Sequence, residues 1–474
     1  MSRLRLWSRP QSRKPWWTLQ PPPPLCGYAR LSRRASWTPA DPAPPAQGSC
    51  YGCGAALQLS EPSAPGYVAA EKYAPKAAHR QLGQLLCARC GGLTHGRLVN
   101  AVAGQGSDTG EAARRPGLVS PEQLRAHLAA LRERNVLVIL LVDATDFSAS
   151  FLPRLRDCVG RNPVLLVVTK ADLLPRGTDE LALATWIEDE VGYRRLTLAG
   201  LHLVSARRGD GMQAAVAEMC ATRRGRDVVV VGAANVGKSS FIRAALASMR
   251  QRGDLAAPTR RLPVASLLPG TTLGVIPLRA FGGEGTLYDT PGVVLHHRVN
   301  GMLDGPDLAA LAPRLPLQLR EAGAPGEEEL QGCAVFWEGL ARVDVLQAPR
   351  GTRLLFWGPS ERARVAALPL DRAEAGETPW AGAEGGDGVG TAAVAARGGL
   401  RVARELELAA GLRLAPIADV VVSGMGGWMT VVAGGGGRGG VATGPPLVKL
   451  RVWAPKGAEI FIRPPMPVQP KGSW

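Results

Sequence analysis

The functional motifs of this chain stand in a rotated order. Gly232-Ala233-Ala234-Asn235-Val236-Gly237-Lys238-Ser239 is a complete G-x-x-x-x-G-K-S element, with Ser240 after it and an apolar run at 228–231 before it. Asp289-Thr290-Pro291-Gly292 follows, in the place of a metal- and phosphate-sensing segment. Thr169-Lys170-Ala171-Asp172 has the form of a base-reading segment, and Ser205-Ala206 that of its usual companion, yet both lie upstream. A chain that writes the base half of a pocket before the phosphate half must bring both to the same edge of one sheet. That requirement constrains the fold more than any composition does.

The apolar pattern agrees. Continuous runs at 136–142, 164–168, 201–204 and 228–231 read as buried parallel strands. Helical segments fall between them, around 151–159, 179–190 and 211–222, with another at 240–251. Strand and helix alternating at this spacing predict an α/β fold with a doubly wound, mostly parallel sheet. Upstream, Ser120-Pro121-Glu122 opens a helix with Leu124, Leu128 and Leu131 on one face. Beyond Gly292 the pattern weakens. Residues 300–330 read as loop with helical pieces, 373–400 as a flexible Gly/Ala-rich insertion, and 419–423 and 448–453 as strands. The expected organisation is a disordered or targeting segment at 1–45, a metal-binding domain at 46–100, a nucleotide domain at 118–300 and a small α+β domain at 301–474.

The net charge is +16, from 56 basic and 40 acidic residues, which favours a polyanionic partner such as nucleic acid. The first forty residues carry Arg3, Arg5, Arg9, Arg13, Lys14, Arg30, Arg33 and Arg34 and no acid, interleaved with Ser, Trp and Leu. They lack the apolar core of a secretory signal and fit an organelle transit peptide, plastid or mitochondrial. The longest apolar runs are too short to span a bilayer, so no membrane role is expected. Cys50-Tyr51-Gly52-Cys53 and Cys87-Ala88-Arg89-Cys90 have knuckle spacing, Gly52 and Gly54 helping the first pair to turn. Four thiolates close a tetrahedral site with no open position, so the expected zinc is structural. His79 and His95, nearby, read as surface residues.

Each motif residue has a chemical reason to be there. The backbone N–H groups of Gly232, Asn235, Val236, Gly237, Lys238, Ser239 and Ser240 can wrap phosphate at a helix N-terminus. Lys238 reaches the β- and γ-phosphates, and Ser239 ligates Mg²⁺. Asp289 holds the Mg²⁺ through water, and the Gly292 N–H senses the γ-phosphate. Pro269-Gly270-Thr271-Thr272 reads as a switch segment, either threonine closing on Mg²⁺ when γ-phosphate is present; Thr272 is the residue taken. Asp172 accepts from guanine N1 and N2, where adenine has no matching donors. Lys170 lies along the ring, and Ala206, beside Ser205, offers its N–H to O6. Thr169 stands where Asn is usual; a hydroxyl makes fewer hydrogen bonds, so weaker guanine affinity is expected, with no change of base. Val293 cannot orient water as a glutamine would. Asn235 stands where a K⁺ ion can bind, pointing to slow intrinsic GTP hydrolysis stimulated by K⁺ or by a ribosomal partner. The residues assigned to catalysis are therefore Lys238, Asn235, Thr272 and Gly292.

Together these residues resemble the YqeH-type circularly permuted GTPases, ribosome-assembly factors of bacteria and organelles. The likeness rests on the cysteine pairs with Leu93-Thr94-His95, Val142-Asp143-Ala144-Thr145-Asp146-Phe147-Ser148, Asn162-Pro163-Val164, and the run to Leu173-Leu174-Pro175. It also rests on the nucleotide motifs and on the tail segments Asp419–Trp428, Pro455-Lys456-Gly457 and Arg463-Pro464-Pro465. It implies a zinc-finger domain, a permuted G domain that hydrolyses GTP to GDP with Mg²⁺, and a C-terminal domain contacting ribosomal RNA on the small subunit; a monomer is expected. In the tail, Lys449, Arg451, Lys456, Arg463 and Lys471 against Glu459 read as a phosphate-contacting patch, with Trp453 and Phe461 available to stack on bases or to fill the core. The competing readings are a non-catalytic RNA-binding scaffold that holds nucleotide, and an unrelated P-loop ATPase.

Overall fold

The computed structural model describes residues 48–95, 134–253, 262–265, 271–303, 305–323, 329–359, 364–380, 388–434 and 446–468. The basic first forty residues, the helix expected at Ser120, and Pro269, Gly270 and Lys471 lie outside these.

The central sheet has six strands in the order β3-β2-β1-β4-β6-β5. Its members are β1 (Val136–Asp143), β2 (Val164–Thr169), β3 (Gly200–Leu203), β4 (Asp227–Gly232), β5 (Ile276–Arg279) and β6 (Thr286–Asp289). All are parallel except β5, which closes one edge antiparallel to β6. Every residue of β1 and β2 is buried. That is why these runs are apolar throughout, without the alternation of a one-faced sheet. The chain runs from β1 outward to β3, then returns across β1 to β4, so the switch point lies between β1 and β4. In open α/β sheets ligands bind in that crevice, at the carboxyl ends of the strands. Register levels those ends: Asp143 is opposite Thr169, Leu141 opposite Gly232, and Val230 opposite Asp289.

Helices follow the expected order. In the cysteine-bearing segment, α1 (Ala70–Ala78) occupies the stretch between the pairs and α2 (Ala88–Thr94) carries Cys90. Short α3 (Phe147–Ser150) and α4 (Leu155–Val159) join β1 to β2. Helix α5 (Glu180–Tyr193) is capped by Asp179, whose carboxylate accepts from Leu181 and Ala182 N–H at 3.0 and 3.1 Å. Helix α6 (Met212–Arg223) precedes β4, and α7 (Lys238–Gln251) begins at the phosphate loop. After α8 (Gly305–Leu311) the chain is built mainly of strands, joined by α9 (Leu370–Glu374) and α10 (Thr391–Ala395).

Those strands form two antiparallel sheets. One has the order β16-β13-β14-β10-β7 and the other β11-β8-β9-β15-β12. Their ranges are β7 (Gln318–Ala322), β8 (Cys333–Trp337), β9 (Ala341–Gln347), β10 (Arg353–Gly358), β11 (Val365–Pro369), β12 (Leu400–Ala409), β13 (Ala415–Val422), β14 (Trp428–Ala433), β15 (Leu447–Pro455) and β16 (Ile460–Arg463). Val335, Val343, Phe356, Val420, Met429 and Leu450 share one core drawn from both sheets. Trp357, Val421 and Trp428, on the opposite face of the first sheet, join the core of the nucleotide domain. A strand such as β13 is thus covered on both sides, which explains its run of valines.

Two sequence expectations need correction here. The stretch 373–400, read as one flexible insertion, holds several packed residues among those described. Trp380 is buried with Nε1 donating to the Glu338 carbonyl at 3.2 Å, and Val394 on α10 is buried. The basic tail patch is largely neutralised. Lys449 pairs with Glu407 at 3.0 Å, Arg451 with Glu405 at 2.9 Å, and Arg463 is buried against Asp419 at 3.3 Å. The acids of β12 are remote in sequence but directly opposite in register. Trp453 is half-buried and donates to Asp344 at 2.7 Å, while Phe461 packs edge-on against His297. Both aromatics therefore serve packing.

Candidate functional site

The phosphate loop leaves β4 at Gly232 and enters α7 at Lys238 through Asn235 (φ 65°) and Gly237 (φ 91°). The Lys238 ammonium donates to the Gly232 and Ala233 carbonyls at 3.1 and 2.7 Å, curling back over the loop. Burial pushes it down to about 8, against the attraction of Asp289. Asn235, Gly237, Lys238, Ser239, Ser240, Thr271, Thr272 and Gly292 line one cleft, with Ala234 and Ala265 completing its wall. The residues of α7 and of the segment after β6 therefore face a common space.

Ser239, Thr272 and Asp289 converge. Ser239 Oγ lies 3.4 Å from Thr272 Oγ1 and 3.4 Å from Asp289 Oδ2, and Thr272 Oγ1 is also 3.4 Å from Asp289 Oδ2. Asp289 is fully buried, and its Oδ1 is left without a hydrogen bond. Burial pushes its carboxyl up to about 6. An all-oxygen set around an unsatisfied buried carboxylate suits a hard divalent cation such as Mg²⁺. Of the two threonines left open by the sequence, Thr272 has its hydroxyl 3.4 Å from both Ser239 and Asp289.

The base-reading loop is stitched to the phosphate loop. Thr169 Oγ1, buried, lies 2.6 Å from the Val236 carbonyl and 3.1 Å from the Val142 carbonyl. One hydroxyl proton serves these two acceptors, so none is left for a ligand. Lys170 adopts φ 60° and gives its ammonium to Asp143 at the end of β1. That salt link lowers the Asp143 carboxyl despite the upward push of burial, the largest influence on it. The Lys170 ammonium is thus paired with Asp143. The Asp172 carboxylate is 4.0 Å from the Arg208 guanidinium. Ser205, fully buried, accepts from Arg208 N–H at 3.0 Å and donates its own N–H to Asp210 at 2.9 Å, fixing the turn that carries Ala206. Val293 is buried in the core, where its backbone N–H meets the Gly232 carbonyl at 3.2 Å and its carbonyl the Ala234 N–H at 2.8 Å.

Three residues given no role from their chemistry in the sequence are structurally prominent. Asp143 anchors Lys170. Arg298, buried, donates to the Ala234 carbonyl at 2.9 Å and to Asp146 Oδ2 at 2.8 and 3.2 Å. The same Asp146 oxygen accepts from Gly424 N–H at 3.1 Å, and Val299 N–H donates to the Ser423 carbonyl at 2.8 Å. This chain of contacts runs from the phosphate loop to the turn after β13. An acid ending the strand after seven apolar residues, with a second acid three residues on, was the available sequence signal for Asp143 and Asp146.

The ligand atoms of Cys50, Cys53, Cys87 and Cys90 all lie within 4.8 Å of one another, and all four residues are buried. Cys53 and Cys87 sulfurs are 4.0 Å apart, near the roughly 3.8 Å expected for thiolates about 2.3 Å from one tetrahedral zinc. Hydrogen bonds from the Cys50 thiol and its neighbours pull Cys87 strongly down, while the same sharing pushes Cys53 and Cys90 up. A divalent cation relieves that competition by stabilising every thiolate at once.

A phosphate loop, an oxygen triad and a guanine-type loop on one parallel sheet, in rotated chain order, define a circularly permuted G domain. A family model described as "50S ribosome-binding GTPase" matches residues 227–308. That is the phosphate half of the pocket; the upstream base half falls outside the match, as permutation requires. A rice protein named "Putative nitric oxide synthase" is 40% identical over 446 residues, covering 90% of this chain and 78% of its own length. "NO-associated protein 1, chloroplastic/mitochondrial" of Arabidopsis thaliana is 38% identical over 441 residues, covering 90% and 77%. "Uncharacterized protein YqeH" of Bacillus subtilis is 30% identical over 301 residues, covering 64% and 73%. The chain belongs to the family of YqeH-type circularly permuted GTPases. Nucleotide hydrolysis with GTP, GDP and Mg²⁺ is the chemistry of that domain.

Proposed function

We propose that this protein is a GTP-hydrolysing switch that binds ribosomal RNA on the small subunit and assists organellar ribosome assembly. The observation that carries the reading is the Thr169–Val236 hydrogen bond, which joins the base loop to the phosphate loop. Asp172 selects guanine, the Lys170 stem covers one face of the ring, and the turn held by Ser205 presents the Ala206 N–H to O6. Loop amides from Gly232 to Ser240 and the Lys238 ammonium would neutralise the β- and γ-phosphates; Ser239, Thr272 and Asp289 would hold Mg²⁺, which would offset charge on the transferred phosphoryl group. Gly292 N–H reports γ-phosphate loss.

The buried Val293 supplies no water-orienting group, so intrinsic hydrolysis is slow. Asn235 lies in the cleft wall, where it would hold a K⁺ ion whose charge would stand in for an arginine finger. Arg298 and Asp146 then pass the nucleotide state to the turn at Ser423–Gly424, reorienting the C-terminal domain and releasing RNA. Residues 46–100 act as the zinc domain, 118–300 as the G domain and 301–474 as the ribosome-contacting domain. A ribosomal partner is supported by the +16 charge and by the family description, which names the 50S subunit; the choice of the small subunit rests on the resemblance to the YqeH-type GTPases, and the organelle on the name of the Arabidopsis relative and the acid-free first forty residues. Among the described residues no helix is long and apolar enough to cross a membrane. A monomer is proposed.

The test is sedimentation of tagged protein with separated organelle subunits under GDP and a non-hydrolysable GTP analogue, alongside phosphate release in K⁺ and Na⁺. Binding to the small subunit that depends on nucleotide, and faster turnover in K⁺, are expected. Binding confined to the large subunit would overturn the small-subunit assignment, and nucleotide-independent binding would overturn the switch.

A further inference from the structure

The cysteine knuckle and the Thr272 segment are packed back to back. Cys53 carbonyl accepts from Leu273 N–H at 2.7 Å and from Gly274 N–H at 3.0 Å, and Gly52 carbonyl accepts from Val264 N–H at 3.0 Å. Val264 is buried in the same apolar cluster as the four cysteines, with Leu273 packed against it. The two backbones touch without room for side chains. A Cβ on Gly54 would lie 2.8 Å from the Gly274 carbonyl oxygen, and a Cβ on Gly274 would lie 2.8 Å from that of Gly54. Gly52 and Gly54 thus do more than let the knuckle turn; they admit the neighbouring strand of chain. Thr272, whose hydroxyl meets Ser239 and Asp289, directly precedes the clamped pair.

We propose that the tetracysteine site is a clamp for the Thr272 segment, so that zinc at the four thiolates and magnesium–nucleoside triphosphate at the phosphate loop each favour the binding of the other. This rests on the nucleotide-site reading above. Ligation through Cys53 Sγ fixes the peptide whose carbonyl holds residues 273 and 274. That position keeps the Thr272 hydroxyl beside Ser239 and Asp289, where it would meet the cation. Its closure in turn holds the knuckle loop against opening, the route by which zinc leaves. Coupling of this kind is reciprocal, and a factor of about 5 to 150 is typical.

The experiment follows zinc transfer from the full-length protein to a chromophoric chelator, with Mg²⁺ alone, with GDP and with a non-hydrolysable GTP analogue. Release at least about fivefold slower with the analogue than with GDP is expected. Gly274→Ala, which leaves all four thiolates and the P-loop intact, should abolish the difference while keeping one zinc and unchanged GDP affinity. Should that variant fail to fold, hydrogen exchange at Leu273 and Gly274 in the wild type replaces it, with protection lost on zinc removal. Equal release rates with the analogue demonstrably bound, a difference that survives Gly274→Ala, or exchange unaffected by zinc would each sink the coupling alone. Failure to bind either nucleotide would sink the site reading and the coupling together.

Discussion

Thr169 shows how one side chain can change role without losing its place. From sequence, the Asn-to-Thr exchange implied a weaker grip on guanine. In the structure the hydroxyl is committed to the Val236 carbonyl, so its work is to hold two loops together. Thr169→Val is expected to leave a buried carbonyl unpaired and cost about 1–3 kcal/mol, lowering affinity for GDP and GTP alike in a fluorescence titration. A selective loss of GTP alone would contradict this role. Asp172, proposed to read the base, is the contrasting case: its carboxylate lies 4.0 Å from the Arg208 guanidinium, a long and partly exposed pairing. Asp172→Asn should weaken guanine nucleotides by about a hundredfold or more and favour xanthine nucleotides, whose C2 carbonyl accepts from an amide. Unchanged base preference in competition binding would remove Asp172 from the site.

At the scale of elements, β13 is the strand on which two layers depend. Asp419 is fully buried and accepts from Thr430 Oγ1 at 2.6 Å, Met466 N–H at 2.9 Å and Arg463 Nε at 3.3 Å. Burial is the largest influence on its carboxyl and pushes it up to about 6, against the pull of Arg463 and the other donors. An unfolded aspartate titrates near 4, so the folded state holds this proton more tightly. Its contribution to stability is fully present below about pH 4 and is lost as the pH rises through about 6. Asp419→Asn should therefore flatten the dependence of the thermal midpoint on pH between 4 and 6. The pairs across β12 and β15 are exposed and differ in kind. Lys449→Ala and Arg451→Ala should each change stability by less than about 1 kcal/mol, measured by urea unfolding.

For the whole molecule, the consequence of the rotated order is that the chain beyond the switch segments comes back to the nucleotide domain. Met466 and Val468 are buried in its core, and Trp186 Nε1 on α5 donates to the Pro464 carbonyl at 3.2 Å. A chain ending at Arg463 would lose two buried apolar side chains worth about 1.5–3 kcal/mol each. Its thermal midpoint should fall and its nucleotide affinity drop, although no nucleotide motif is touched; an unchanged midpoint would show that the tail merely rests on the surface. Saturating Mg²⁺–GTP analogue should raise the midpoint of the full chain by mass action, by an amount that grows with ligand concentration.

Local chemistry was written plainly in the chain. The phosphate loop, the cysteine pairs and the apolar strands β1, β2 and β4 depend on short-range spacing and hydrophobic runs, so they could be read residue by residue, as could the base-reading loop with its Thr169. What joins them is decided by contacts between residues distant in sequence. The Arg298–Asp146–Gly424 link, the Cys53 carbonyl beneath residues 273–274, and the Glu405 and Glu407 partners of β15 each need the sheet and register first. Hydrogen bonds and ion pairs act over a few ångströms of space, and only the tertiary fold determines which residues share those few ångströms.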